Sequence, residues 1–361
     1  MIPCRTSQAN SCRHCVPVRH SEGASSDSST TCNTPPSRKY NVGLRIGSIF
    51  IILATSGLAV FFPLFLHKLP LSRINSMLFT IIKQFGTGII ISTAFIHLYT
   101  HASLMFNNEC LTGIHYEATT SAIVMGGLFL AFLVEYIGYR FIMSRKRRDI
   151  DSTSGSEDSS TSDQKHPHQN TQGSALRDIS HSHAPANFDP NTPLAVSVTE
   201  FGILFHSVLI GLTLVVAPDS SANTSGYYKT LLAVIVFHQF FEGLALGARI
   251  ALLQTSTLRY GILNKILMAL AFALITPLGM AIGIGVLGEF NGNDRSTILT
   301  IGIFDALSAG VLHWVGVVDM WARDWAVTGG EMVDAGALKM MIGMLSLVIG
   351  IIVMSVLGKW A

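Results

Sequence analysis

Eight apolar runs constrain the fold of this 361-residue chain: Val42–Leu66, Ile81–Tyr99, Thr119–Met143, Val196–Ala217, Leu231–Leu253, Ile262–Leu287, Ile298–Met320 and Met340–Leu357. At ~1.5 Å of helical rise per residue, runs of this size match about 30 Å of hydrocarbon. The strands of a membrane barrel would be shorter and would alternate in polarity. The expected fold is therefore all-α: an integral membrane protein with eight transmembrane helices. Composition agrees, because 13% of residues are charged, against about 25% in a soluble domain. A net charge of +2, segregated by loop, gives no reason to expect a nucleic-acid partner. The lipid bilayer is the expected surroundings.

The chain divides into a Cys- and Ser-rich tail (1–41), three spans (42–143), a polar segment (144–195) and five further spans (196–361). Met1 to Tyr40 has no apolar core of the signal-peptide kind, so insertion is expected to rely on the first span. The tail holds Cys4, Cys12, Cys15 and Cys32. Its Cys12-Arg13-His14-Cys15 would suit zinc or a disulfide, but a single C-x-x-C is a weak signal, and thiols without an essential role fit equally well. The segment 144–195 opens on Arg145-Lys146-Arg147-Arg148 and continues through Ser/Thr/Asp-rich sequence unable to build a core. Its His166, His168, His181 and His183 are candidates for loose, regulatory metal binding.

Lys and Arg set the orientation. The loops after the first, third, fifth and seventh runs carry most of them, which makes that side cytoplasmic and leaves both termini extracellular or lumenal. Arg38-Lys39 and Arg45 oppose this assignment from the other side. Asn223-Thr224-Ser225 is a glycosylation pattern, placed too near two membrane exits for use to be expected.

Inside the runs lie groups that are costly in lipid and that normally mark an ion or proton path. His238 and Glu242 are four apart, hence on one helical face. His206-Ser207 occupies the preceding run. Two imidazoles and a carboxylate suit zinc or iron(II), with water or Ser207 completing the shell and Gln239 as a further ligand or supporting partner. A pair of structural hydrogen bonds would be the plainer reading, but two such helices side by side favour metal. Gly211, Gly243 and Gly247 would let these helices approach closely.

These same residues carry a resemblance. His206-Ser207-Val208-Leu209-Ile210-Gly211 and His238-Gln239-Phe240-Phe241-Glu242-Gly243 resemble the paired signatures of the ZIP family of zinc and iron transporters, in its fungal and plant branch. The likeness runs from about Val42 to Ala361. It implies a bundle with an inverted repeat of helices 1–3 and 6–8, transport of a divalent metal toward the cytosol, and a homodimer. The implied metal ligands are His206, Ser207, His238, Gln239 and Glu242. Some relatives have Glu where this chain has Ile210 and Thr276, so a single-ion centre is expected. The resemblance also makes His97 an entrance residue, with His101 one turn away. Glu200 and Asp305 complete the expected entrance and exit path, Glu200 receiving metal on release and Asp305 lining the outer vestibule. Asp319 and Glu135 read as interfacial charges, and His313 has no assigned role.

The expected activity is transport of zinc, or alternatively iron(II) or a broad range of divalent metals, with the metal as cargo and no cofactor required. The plasma membrane is the expected location, with the vacuole or another endomembrane as alternative. Rival classes fit less well. A cation-diffusion-type exporter would have six spans. An intramembrane zinc hydrolase would want His-Glu-x-x-His, absent here, so no enzyme is expected. A metal-sensing receptor is the third class, and saturable uptake would separate transport from both it and a hydrolase.

Overall fold

The computed structural model describes residue 32 and residues 40–67, 72–111, 113, 116–154, 193–221, 224–225, 227–253, 258–287, 291–327 and 330–359. Eight helices long and apolar enough to cross a membrane lie among them. α1 is Val42–Leu66. α2 runs from Ser72–Ser92 through a π-helical segment, Thr93–Leu98, into Tyr99–Phe106. α3 is Thr119–Ser154, α4 Pro193–Val216, α5 Tyr227–Leu252 and α6 Leu258–Gly285. α7 joins Arg295–His313, a second π segment Trp314–Ala322, and Arg323–Ala326; α8 is Ala337–Leu357. Strand structure among the described residues is confined to a small hairpin between α4 and α5, with β1 (Ser220–Ser221) antiparallel to β2 (Thr224–Ser225).

Burial sorts the helices into two shells. Between 61% and 67% of the apolar window is buried in α2, α4, α5 and α7, against 17% to 44% in α1, α3, α6 and α8. The outer four turn large side chains such as Leu58, Met125 and Leu338 outward, toward lipid. The inner four hold the polar residues.

Helix pairing follows a symmetric scheme. α1 packs on α5 as α6 packs on α4, α2 on α8 as α7 on α3, and α1 meets α6 as α2 meets α7. Exchanging α1–α3 for α6–α8, and α4 for α5, reproduces the scheme, which is the inverted repeat. Each repeat has a proline late in its first helix, Pro63 and Pro277, and a π segment in its second.

The pairs touch backbone to backbone through reciprocal glycines. A Cβ on Gly88 of α2 would fall 2.1 Å from the Leu347 carbonyl of α8, and one on Gly350 of α8 would fall 2.3 Å from that of Phe85. Gly127 and Gly310 interlock α3 with α7 in the same way, and Gly211 and Gly279 interlock α4 with α6. Gly247 of α5 lies under the Val60 carbonyl of α1. Lipid offers no hydrophobic drive between helices, so this close van der Waals contact supplies the association.

At the end bearing the termini, polar contacts tie α1 to the C-terminus of α4. Asn41 caps α1 by accepting from the Leu44 N–H at 3.0 Å. Arg45, fully buried, donates to the Val215 and Ala217 carbonyls at 2.7 and 2.6 Å and pairs with Asp219 at 2.7 Å. It thereby satisfies carbonyls left open at the C-terminus of α4. Cys32 and Cys110 form a disulfide with Cα atoms 5.6 Å apart, and Asn291 Nδ2 donates to the Cys32 carbonyl at 2.9 Å. Cys32 thus has a structural role that the sequence reading did not assign. Cys4, Cys12, Cys15, Arg38-Lys39, Asn223 and the four loop histidines lie outside the described residues.

The segment expected to lose structure after Met143 instead continues α3 as far as Ser154. Its Lys, Arg and Asp residues contain no Gly or Pro before Gly155, and the basic ones are good helix formers. At this same end of the bundle Lys83 bridges Asp324 and Glu331, and Lys339 holds Glu331 at 2.9 Å. Burial pushes the Glu331 carboxyl up, but Lys83, Lys339 and Thr80 outweigh it and hold it at about 2.

Two outcomes follow. Gly88→Ala should destabilise the purified protein by about 1–3 kcal/mol through overpacking, whereas Gly57→Ala, whose Cβ would meet nothing within 4 Å, should be neutral or slightly stabilising. Thermal unfolding in detergent checks the pair. Glu331→Gln should lower the unfolding temperature at neutral pH, where the carboxylate is ionised in both folded and unfolded chains. Because the folded value is depressed, the deficit should shrink as pH falls from its ordinary 4.5 to about 2; a deficit constant over that window would show that charge is not the cause.

Candidate metal centre

Three imidazoles meet where α2, α4 and α5 converge. One ring nitrogen from each of His97, His206 and His238 lies within 4.8 Å of the others, and the ring centroids are 5.0 to 5.7 Å apart. All three are buried. Glu242, one turn after His238, places Oε1 3.1 Å from His238 Nε2 and accepts from the Thr93 hydroxyl at 3.2 Å. The four-residue spacing on α5 makes the His238–Glu242 contact local. Bringing His206 and His97 to it requires the interhelical packing.

The π segment of α2 explains how Thr93 and His97 both face the centre. The Tyr99 N–H bonds back to the Ala94 carbonyl, five residues earlier. This inserts an extra residue into the turn and re-aims the side chains there, a device frequent at functional sites. His97 therefore stands in the centre with His206 and His238, where the sequence reading put it at the entrance. The reason is length: Thr100 and His101 look like the end of an apolar run, but the helix continues to Phe106. Three histidines on three spans were the available signal.

Buried polar atoms surround this point without protein partners. Both ring nitrogens of His206, His238 Nδ1, the Ser207 hydroxyl, both Gln239 amide atoms, Glu242 Oε2 and the Thr276 hydroxyl make no hydrogen bond. Buried polar groups are ordinarily satisfied. Imidazole nitrogens and a carboxylate oxygen left this way are a donor set for a borderline divalent cation. Ile210 is buried and apolar and Thr276 is neutral, so neither brings the carboxylate of some relatives.

A cavity of about 480 Å³ reaches the histidines from the end bearing the termini. Pro218, Tyr227 and Gly292 stand at its mouth, Thr213 and Leu231 along its walls, and His97, His101, His206 and Asp305 at its floor. Asp305 is buried on α7. Its Oδ2 lies 2.6 Å from His101 Nδ1 and its Oδ1 3.6 Å from His206 Nδ1, so it links the vestibule histidine to the central one.

Other residues fall differently from expectation. Glu135 and Asp319 are buried, with 1% and 0% exposure, not interfacial: Glu135 Oε2 accepts from Trp314 Nε1 of α7 at 3.0 Å, and Asp319 Oδ1 lies 3.0 Å from Arg323 Nη2 one turn on. Glu200 is buried, at 7%, near the N-terminus of α4. His313 packs its ring against Phe95 at 3.8 Å and donates Nδ1–H to the Ala309 carbonyl at 2.6 Å, a local structural role.

Residues 42–358 match the family described as ZIP zinc transporter. Zinc-regulated transporter 1 of Candida albicans is 43% identical over 97% of this chain and 68% of its own length. Zinc-regulated transporter 2 of Saccharomyces cerevisiae is 29% identical over 94% of this chain and 99% of its own, and the probable zinc transporter 10 of Arabidopsis thaliana is 28% identical over 95% of each. A match of this extent, on a bundle of eight spans with an inverted repeat, makes the chain a member of the ZIP zinc transporter family.

Proposed function

We propose that the chain carries zinc ions across the membrane into the cytosol, through a centre formed by His97, His206, His238 and Glu242. The observation that carries this reading is the cluster of buried, unpartnered imidazole nitrogens at the floor of an open vestibule. Three nitrogens and one oxygen match zinc's preference for four-coordinate sites of this type. The printed names of the relatives favour zinc over iron(II), which the same donors would accept. An ion entering the vestibule first meets His101 and Asp305. It sheds water as imidazoles take the place of its hydration shell, with the Glu242 carboxylate supplying countercharge. Ser207 and Gln239 lie next to two of these ligands in sequence and serve as outer partners or further ligands. Glu200, at the inner end of α4, receives the ion on release. The loop histidines His166, His168, His181 and His183 act on abundance, not on transport rate, and the assembly is a homodimer, as in the family.

The direction rests on orientation. Arg45 is neutralised by Asp219 and by helix-end carbonyls, so it does not count as a free charge against the Lys/Arg bias of the opposite loops. A disulfide at the termini end fits an oxidising compartment. Both observations support termini outside the cytosol and the vestibule open to the outside, as in a plasma-membrane importer.

Losing even an outer-sphere partner costs a metal site about 10–100-fold. Alanine at His97, His206, His238 or Glu242 should therefore reduce radiozinc uptake at least about tenfold in a transporter-deleted cell, with protein still reaching the membrane. Normal uptake by any two of these variants at equal surface abundance would sink the centre, and iron(II) outcompeting zinc would reassign the cargo. For orientation, a tag after Ser160 should be hidden from antibody on intact cells and a C-terminal tag accessible; the reverse would invert the direction of transport.

A further inference from the structure

A cavity of about 390 Å³ lies at the end of the bundle away from the termini, where α1 and α5 finish and α6 begins. Phe61 and Phe65 of α1 and Ile262 and Ile266 of α6 line it, with His67 and Lys265 beside them. Phe65 is 65% exposed, and Ile262 and Ile266 are 40% and 38% exposed, so this groove opens sideways toward lipid. It shares no lining residue with the vestibule that leads to the histidines. Its volume falls within the ~300–1,000 Å³ of ordinary small-molecule clefts.

The fold fixes two basic groups at this groove. Lys265 Nζ donates to the Ala251 carbonyl at 2.8 Å, in the last turn of α5. The lysine stem thus lies along apolar surface while its ammonium is drawn to the end of the bundle. His67, the C-cap of α1, sets its ring edge-on to Phe79 of α2, with centroids 5.7 Å apart. The surrounding sequence is basic and carries no acid: neither Asp nor Glu occurs from Asn41 to Asn108 or from Gly243 to Gly288. α1, α2, α6 and the last turns of α5 therefore bring no carboxylate to the groove. Lys83 and Lys339, at the same end, are arranged otherwise, around Asp324 and Glu331.

We propose that this groove holds one anionic phospholipid, with its phosphate at Lys265 and His67 and an acyl chain against Phe61, Phe65, Ile262 and Ile266. The apolar walls alone would accept the chain of any lipid. The basic groups decide the headgroup, because a choline ammonium cancels the phosphate charge whereas an anionic headgroup keeps it. Basic pockets between membrane helices recognise anionic headgroups in this way. That the lipid comes from the cytoplasmic leaflet rests on the orientation proposed above; the site itself does not. A lipid seated here touches α1, α6 and the end of α5 together. It therefore stabilises the folded bundle by binding it and not the unfolded chain.

The test uses the full-length chain purified in a neutral detergent. It is titrated separately with phosphatidylglycerol, with phosphatidylcholine of the same acyl chains, and with inorganic phosphate. Native mass spectrometry counts the lipids retained, and thermal unfolding reads stabilisation; neither depends on transport or on the identity of the cargo. One phosphatidylglycerol per chain should be held at least about fivefold more tightly than phosphatidylcholine, and it should raise the unfolding temperature. Inorganic phosphate should not raise it. Lys265→Gln combined with His67→Ala should remove the preference, and Lys265→Arg should keep it. Arg140→Gln, at an exposed arginine of α3 toward the same end, should also keep it. If the double variant does not accumulate, Ile266→Trp, which fills the groove and leaves both basic groups in place, should lose the tightly held lipid. Equal retention of the two lipids by the parent, stabilisation by inorganic phosphate, or an undiminished preference in the double variant or in Ile266→Trp would overturn the assignment.

Discussion

A charge inside about 30 Å of hydrocarbon persists only where protein supplies its partner, and the interior of this bundle is arranged around that requirement. Three groups of polar residues occupy three depths. Arg45 with Asp219 and the α4 carbonyls lies at the termini end. His97, His206, His238 and Glu242 fill the middle. Arg249, Glu135, Asp319 and their neighbours fill the other end. The middle group leaves ring nitrogens and oxygens without hydrogen-bond partners, and at the end away from the termini Glu135 Oε1 and both Asp319 oxygens are left so too. What distinguishes the middle group is its chemistry: imidazole nitrogens beside a carboxylate oxygen are the donor set that suits a borderline divalent cation.

The fold was legible where it depends on local or summed properties. Eight apolar runs read as eight spans, since hydropathy over twenty residues is a property of the segment alone. His238 and Glu242 were legible because four residues bring them to one face whatever the helix packs against. That His97 stands beside His206 and His238 was not legible, because its position depends on a helix continuing past Thr100 and on a π turn. The burial of Glu135, Asp319 and Arg45 was likewise hidden. Arg45 and Glu135 meet partners far away in sequence, Asp219 and Trp314, and a lone acid near a helix end looks the same whether it meets water or the protein interior. The Cys32–Cys110 bond spans 78 residues, and no spacing rule among five cysteines selects that pair.

The glycine contacts give the inverted repeat a physical basis. Gly88 with Gly350 and Gly127 with Gly310 lie at equivalent helix pairs, α2–α8 and α7–α3, and a Cβ on any of the four would fall 2.1 to 2.4 Å from a carbonyl oxygen of the partner helix. A larger residue on one face would separate a pair that its counterpart keeps tight, and the two halves would no longer match. Gly211 and Gly279 extend the same packing to the α4–α6 pair, next to His206 and Ser207. The geometry of the proposed metal ligands thus depends partly on residues outside the proposed centre.

The disulfide has a consequence for the integrity of the chain. Cys32 is joined to Cys110 in the loop after α2, and Asn41, the cap of α1, has its N–H held by Asp219. The stretch from residue 33 to residue 40 is therefore bracketed by a covalent cross-link on one side and a capped helix on the other. A protease that cut within it would sever the polypeptide without releasing anything. The upstream piece would stay attached at the vestibule side until reduction, so a nicked molecule would pass for an intact one on a non-reducing gel.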